Sequence, residues 1–279
     1  MTPLGLGRGP HDFVRLGVKG GDIGITADLA EPCIRCENPD VRGFVISEDA
    51  VESSCEDGDT ASVRLTIDRS SGSEHLEQRV IRFAPGRSKE HVLDGRQEVV
   101  YVVSGRGALI IEGNEHELAP DMGAYIAAGE RFEVDNPGPE ELFVVAVSLA
   151  QEDGANPPSE KRTVRRADRP TLPAGEERRF EFLADDEVGN HDLTQFLGVI
   201  DPSRVPPHGH VYDEVIYVVE GEGTLHLDGK SAPISTGSCI HLPPRIAHTL
   251  ENPGPGPMRV LGVFHPAGDP AGRAFEETN

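Results

Sequence analysis

The chain repeats itself at one fixed distance, and that constrains its fold more than any other feature. Residues 98–113 read EVVYVVSGRGALIIEG and residues 214–229 read EVIYVVEGEGTLHLDG, an offset of 214 − 98 = 116. The same offset carries Asn136-Pro137-Gly138-Pro139 onto Asn252-Pro253-Gly254-Pro255 without a gap. Tyr101 falls on Tyr217, Gly105 on Gly221, Gly107 on Gly223 and Gly113 on Gly229. A period of that length marks a duplicated domain, since a solenoid unit spans only a few tens of residues. With 279 residues the chain has room for two modest domains or one large one, and the repeat selects two.

Within each copy the periodic segments are short and β-like. Glu98–Ser104, Ala108–Ile111, Leu142–Leu149, Glu214–Val219, Thr224–Leu227 and Met258–Phe264 are rich in Val, Ile and Leu and bounded by Gly, Pro, Asn or Asp. Few windows show the i, i+3, i+4, i+7 spacing of an amphipathic helix. The 32 glycines and 23 prolines supply the turns that many short strands need. The expected class is therefore all-β. Each half must close on itself or pair two sheets, because open edges invite aggregation.

The repeat sets the expected boundaries: a first barrel over 71–150, a Pro- and charge-rich linker over 151–177, and a second barrel over 178–279. Thr163–Arg166 is able to add a strand from within that linker. Residues 1–70 have no visible counterpart and read as an extension that packs on the first barrel or a partner subunit. It contains strand candidates at Phe13–Val18, Gly43–Ile46 and Ser62–Ile67 and an acidic loop, Ser47–Thr60.

The chemistry concentrates in the second copy. Val205-Pro-Pro-His208-Gly-His210-Val-Tyr-Asp-Glu214 leads into a strand. On an extended chain residues two apart share a face, so His208 and His210 project the same way, and Glu214 joins them if the short loop keeps parity. Two imidazoles and a carboxylate from one strand edge form a facial set that leaves positions open on a six-coordinate ion. His248 supplies a further nitrogen from Gly237-Ser-Cys-Ile-His-Leu-Pro243-Pro-Arg-Ile-Ala-His248-Thr-Leu-Glu-Asn252.

These residues resemble the two motifs of the cupin superfamily. His208, His210, Glu214 and Gly221 match the first, an H-x-H followed by Glu and Gly; Gly237, Pro243, His248 and Asn252 match the second. Two departures stand out. No glycine precedes the histidines, and Arg245 occupies the place of the second motif's inner glycine. The resemblance covers most of residues 75–150 and 178–267. It implies two tandem jelly-roll barrels (a bicupin) and one divalent transition metal, Mn, Fe, Ni, Co or Zn, held by His208, His210, Glu214 and His248. The tail Phe264-His265-Pro-Ala-Gly-Asp-Pro resembles the segment that closes many small cupins.

The first copy serves as an internal control. Subtracting 116 carries the four residues onto Val92, Asp94, Glu98 and Phe132, of which only Glu98 is unchanged. A longer spacer would substitute His91, with Leu93 as its partner. Phe132 binds no metal, so this half is expected to keep the fold without the site. Tyr212 and Asp213 are candidate hydrogen-bond partners of the ligands, or else a packing and a turn residue. His226 and His241 alternate with apolar neighbours and face either cavity or surface.

Charge and cysteines bound the rest. Lys plus Arg total 26 against 48 Asp plus Glu, a formal charge of −22, which repels phosphate backbones and anionic lipid. Nucleic acid and membrane are therefore not expected partners; no run approaches the roughly 18 uncharged apolar residues of a membrane span. A homodimer is one way to cover the outer sheets, and two barrels in one chain are another. No signal-peptide pattern opens the sequence, so the expected location is cytoplasmic, with Cys33, Cys36, Cys55 and Cys239 as thiols. The lone Cys33-Ile-Arg-Cys36 lacks the second pair of a zinc site. In related proteins such a centre serves enzymes and binders alike. The reading is a metal-dependent oxidoreductase of the dioxygenase type on a small oxygenated compound. A non-catalytic binder or a metal-dependent isomerase, decarboxylase or hydrolase stand as alternatives.

Overall fold

The computed structural model describes residues 43–151, 159–204 and 207–272 and the strand 275–276. The strand expected at Phe13–Val18 and the pair Cys33 and Cys36 lie outside them. Among the described residues there are strands and short 3-10 turns but no α-helix, as the periodicity predicts. Among the described residues no helix is long and apolar enough to cross a membrane.

The first copy contains β1 (Phe44–Ser47), β2 (Ser54–Cys55), β3 (Ala61–Ile67), β4 (Leu76–Phe83), β5 (Gly86–Arg87) and β6 (His91–Val92). It continues with β7 (Arg96–Ser104), β8 (Gly107–Ile111), β9 (Asn114–Leu118), β10 (Met122–Ile126), β11 (Arg131–Asn136) and β12 (Leu142–Ala150). The second contains β13 (Thr163–Arg165), β14 (Leu172–Pro173), β15 (Arg178–Phe182), β16 (Thr194–Ile200), β17 (His208–Gly209) and β18 (Asp213–Glu220). Then follow β19 (Glu222–Leu227), β20 (Lys230–Ser235), β21 (Ser238–Leu242), β22 (His248–Glu251), β23 (Met258–His265) and β24 (Phe275–Glu276).

Each copy forms a seven-stranded sheet facing a five-stranded one. The large sheets run β13-β10-β7-β12-β4-β3-β2 and β1-β21-β18-β23-β16-β15-β14. The small ones run β5-β11-β8-β9, with β6 also on β11, and β20-β19-β22-β17-β24. The repeat implies two domains, and these are the two jelly-roll barrels that the family resemblance implies.

Strand parity divides the apolar residues among three cores. On β7, Val100 and Val102 fill the first barrel, while Val99 and Tyr101 face outward. On β18, Ile216 and Val218 fill the second, while Val215 and Tyr217 face outward. The outward residues of both large sheets meet in one buried cluster, with Val145, Val147, Leu149, Leu197, Leu261 and Val263. Strands buried on both faces read as continuous Val/Ile runs, which is why these segments show little polar alternation. The two large sheets thus cover each other within one chain.

The edges are exchanged between barrels. β1 precedes the first barrel yet pairs with β21 of the second, Ile46 opposite Cys239. β13 precedes the second barrel yet pairs with β10 of the first, Val164 opposite Gly123. Cys239 and Gly123 are 116 residues apart, so Ile46 and Val164 are equivalent. The expectation that residues 1–70 stand outside the repeat and pack on the first barrel therefore changes for the part described. Residues 44–67 match 163–182; β2 and β3 do join the first barrel's sheet, but β1 joins the second's. Two short strands against different partner strands share only an apolar anchor, too little for sequence comparison to detect.

The Asn-Pro-Gly-Pro pair closes equivalent corners. Asn136 Nδ2 donates to the carbonyls of Phe83 and Glu140, both at 2.9 Å, and its Oδ1 accepts from Gly138 N. Asn252 repeats this on Ile200 and Gly256, accepting from Gly254 N. Both side chains are buried, where an amide needs all its partners.

Candidate metal centre

Inside the second barrel, β17 and β22 lie side by side with His208 directly opposite His248. Parity then sends His210 to the same interior, and even-numbered Glu214 on β18 points inward beside Ile216. One ligating atom from each of His208, His210 and His248 lies within 4.8 Å of the others. Glu214 Oε2 stands 4.0 Å from His210 Nε2. All four side chains are buried. The four residues that the sequence singled out are thus brought to one cavity, with the three imidazoles clustered and the carboxylate at their edge.

Two imidazoles are oriented by backbone carbonyls. His210 Nδ1 is 2.8 Å from Gly272 O and His248 Nδ1 is 2.8 Å from Ile246 O. A carbonyl only accepts, so each Nδ1 carries the proton and each Nε2 keeps its lone pair. Burial, reinforced by the neighbouring His210 and Arg178, pushes His248 down to about 4 and so keeps it neutral. A neutral imidazole with its tautomer set by a carbonyl is the form that binds a metal. Burial pushes Glu214 the other way, up to about 8, against a smaller lowering by Arg178. Three imidazole nitrogens and one carboxyl, with no thiolate, describe a site for a borderline divalent cation, and the residues fit one.

The frame around the donors explains one motif departure. Arg245 has φ +65° and its amide N donates to His210 O at 2.6 Å. Its equivalent in the first barrel is Gly129, at φ +78°. The turn before β22 demands left-handed backbone, which glycine adopts freely and arginine only with strain. Tyr212 stacks between His210 and Phe264, with ring centroids 5.7 and 4.3 Å away. It is the packing residue of the two readings offered.

Asp213 and His241 point away from the cavity. Their odd parity sends them toward the first barrel, where His241 Nε2 and Asp213 Oδ1 are 2.7 Å apart and Ser73 Oγ donates to Asp213 Oδ2 at 3.3 Å. His226 is on the small sheet, 2.6 Å from Glu251 and 2.8 Å from Ser231.

One polar residue escaped the sequence reading. Arg178, at the start of β15, lines the same cavity and donates to Thr249 Oγ1 at 3.2 Å and Leu250 O at 2.8 Å. Its positive field acts on both Glu214 and His248. No motif marks it; only barrel closure brings β15 over β22. The cavity measures about 80 Å³, and Phe180, Phe196, Ile216, Leu242 and Leu250 supply much of its apolar wall.

In the first barrel the sheet register settles the alignment. His91 lies opposite Phe132 just as His208 lies opposite His248. Glu98 opposite Ile126 matches Glu214 opposite Leu242. The true equivalents of the second barrel's histidines are therefore His91, Leu93 and Phe132, with one extra residue between His91 and Glu98. Uniform subtraction, which gave Val92 and Asp94, misses that residue. Two of the three imidazole positions are apolar.

Comparison with known proteins agrees with this architecture. The family described as the cupin domain matches residues 79–148 and 196–264. An uncharacterized protein of Methanocaldococcus jannaschii is 33% identical over 65 residues, 23% of this chain and 52% of that relative, about half its length. A Pseudomonas aeruginosa protein named for induction by glyoxylate superposes with a TM-score of 0.72 at 21% identity, covering 85% of this chain and 92% of that one. The protein Ylba of E. coli gives 0.68 at 14%, covering 85% and 95%. A mutant of Bacillus subtilis oxalate decarboxylase, an enzyme with Mn(II) centres, gives 0.64 at 15%, covering 79% and 76%. At such identities the structural likeness shows the fold alone.

Proposed function

Given that this chain belongs to the cupin superfamily as a two-barrel member, we propose that its second barrel is a metal-dependent enzyme centre of the dioxygenase type for a small oxygenated anion. The convergence of His208, His210, His248 and Glu214 in a cavity shared with Arg178 carries this reading. A divalent ion of the Mn, Fe, Ni, Co or Zn series would supply Lewis-acid polarisation and, for Mn or Fe, an electron route to dioxygen.

The chain's own residues do the rest. Gly272 O and Ile246 O hold two Nε2 lone pairs toward the cavity. Arg178 offers a planar, permanently charged fork to a carboxylate or enolate oxygen. The apolar wall excludes water, so these charges act at low dielectric. A volume of about 80 Å³ favours a ligand of a few heavy atoms over a flavonoid-sized one.

The test is oxygen uptake by Fe(II)- or Mn(II)-loaded protein with small enols, hydroxy acids and oxalate. Oxygen consumption that His248→Ala abolishes, with Arg178→Met raising KM about tenfold or more, is the expected result. A second reading, oxygen-independent decarboxylation of a small carboxylate, draws on the Arg178 guanidinium. Anaerobic turnover would select it. No turnover under either regime would leave a non-catalytic binding protein.

A further inference from the structure

The first barrel has not simply filled in where it lacks the second barrel's imidazoles. It encloses a cavity of about 140 Å³, larger than the 80 Å³ of the second barrel. Leu93, Val100, Leu118, Ile126, Phe132 and Val144 line it, and Leu93 and Phe132 stand where the second barrel has His210 and His248. An apolar cavity of roughly 150 Å³ lined by such residues stays dry and takes a benzene-sized guest. Left vacant, it forfeits the dispersion contacts of its whole lining.

Polar groups are confined to Arg79, Glu98 and His91. Arg79 Nη2 donates to Glu98 Oε2 at 2.5 Å. The pair sums to zero charge, so an anionic guest would meet no net attraction and would lose its hydration. A hydroxyl suits it better, donating to the carboxylate and accepting from the guanidinium. Glu98 is almost fully buried, whereas the Arg79 and His91 side chains are 22% and 28% exposed. Those two, with exposed Val92, form the mouth. The His91 ring stacks on Phe132 at 5.4 Å and extends the flat wall.

We propose that the first barrel is a second ligand site, binding a neutral, hydroxyl-bearing molecule with one six-membered ring, of phenol size. The proposal is independent of any chemistry in the second barrel.

Calorimetric titration of the full chain with phenol, benzene and benzoate tests it. Phenol should bind saturably, one per chain, and about tenfold or more tighter than either benzene or benzoate. Ala146→Leu, which pushes a larger side chain into the cavity from β12, should weaken phenol binding about tenfold or more. Ala61→Val fills the same cavity by less and serves if that variant does not fold, as judged by circular dichroism. Glu98→Gln leaves Arg79 with an unbalanced charge, so it should raise benzoate affinity relative to phenol about tenfold or more. Three results would overturn the proposal: no saturable phenol binding, binding untouched by a folded cavity-filling variant, or a benzoate-to-phenol ratio unmoved by Glu98→Gln.

Discussion

Glu214 should make cation binding at the second barrel a proton-releasing reaction near neutral pH. Burial pushes its carboxyl up to about 8 in the metal-free protein, whereas a carboxylate ligand must be ionised. A group with that pKa is about 0.9 protonated at pH 7, half protonated at pH 8 and about 0.1 protonated at pH 9. Binding should therefore expel about 0.9 proton from Glu214 at pH 7 and almost none at pH 9. Affinity should fall about tenfold for each pH unit below 8, or about 1.4 kcal/mol. His248, held down near 4, adds nothing in this range. Titrating Zn(II) or Mn(II) calorimetrically in buffers of different ionisation enthalpy counts the protons. Glu214→Gln separates this contribution from every other group, and the wild-type excess over it is the readout. An excess near zero at pH 7, or one that does not shrink by pH 9, would show that Glu214 is neither buried and protonated nor a ligand.

Further outcomes follow from the same structure. His248→Ala removes one of three clustered nitrogens and should cut metal content on purification to below about a tenth of wild type by elemental analysis. In the metal-free chain, the raised Glu214 favours folding below its unfolded pKa, and that contribution disappears as pH rises toward 8. Wild type should accordingly lose about 1.4 kcal/mol per pH unit relative to Glu214→Gln between pH 5 and 8 in urea unfolding. Arg245→Gly relieves left-handed backbone and should stabilise by about 0.5–1 kcal/mol by the same method. Asn252→Ala strands two buried carbonyls and an amide and should destabilise by about 3 kcal/mol. Deleting the chain through Val51 would bare the β21 edge, and light scattering should report self-association.

Much of the candidate centre was legible because the residues that would hold a metal fall in two short stretches whose spacing is set by strand parity. His208 and His210 share a face in any extended chain, and Asn252 and Pro243 fix the second stretch around His248. What stayed illegible depends on contacts between distant segments. Arg178 reaches the cavity from 30 residues before His208, through the pairing of β15 with β16 and the closing of the barrel. Gly272 orients His210 through a backbone carbonyl, which no residue type in the sequence marks. Asp213, adjacent to Glu214 in sequence, proved to belong to a different environment because one step along a strand reverses the face.

The order of residues by itself determined the duplication, the β class, the inequality of the two halves and four of the residues around the centre. Each of these rests on local periodicity or on identity at a fixed offset, which folding does not alter. The tertiary structure alone decided which barrel receives β1 and β13 and that the first barrel's equivalent residue is His91. It also decided that a cavity survives where imidazoles are missing, and that Arg178 faces Glu214. Those depend on how sheets pair and close, and hydrogen bonds between backbone groups hold such pairings with little regard for the side chains a sequence displays.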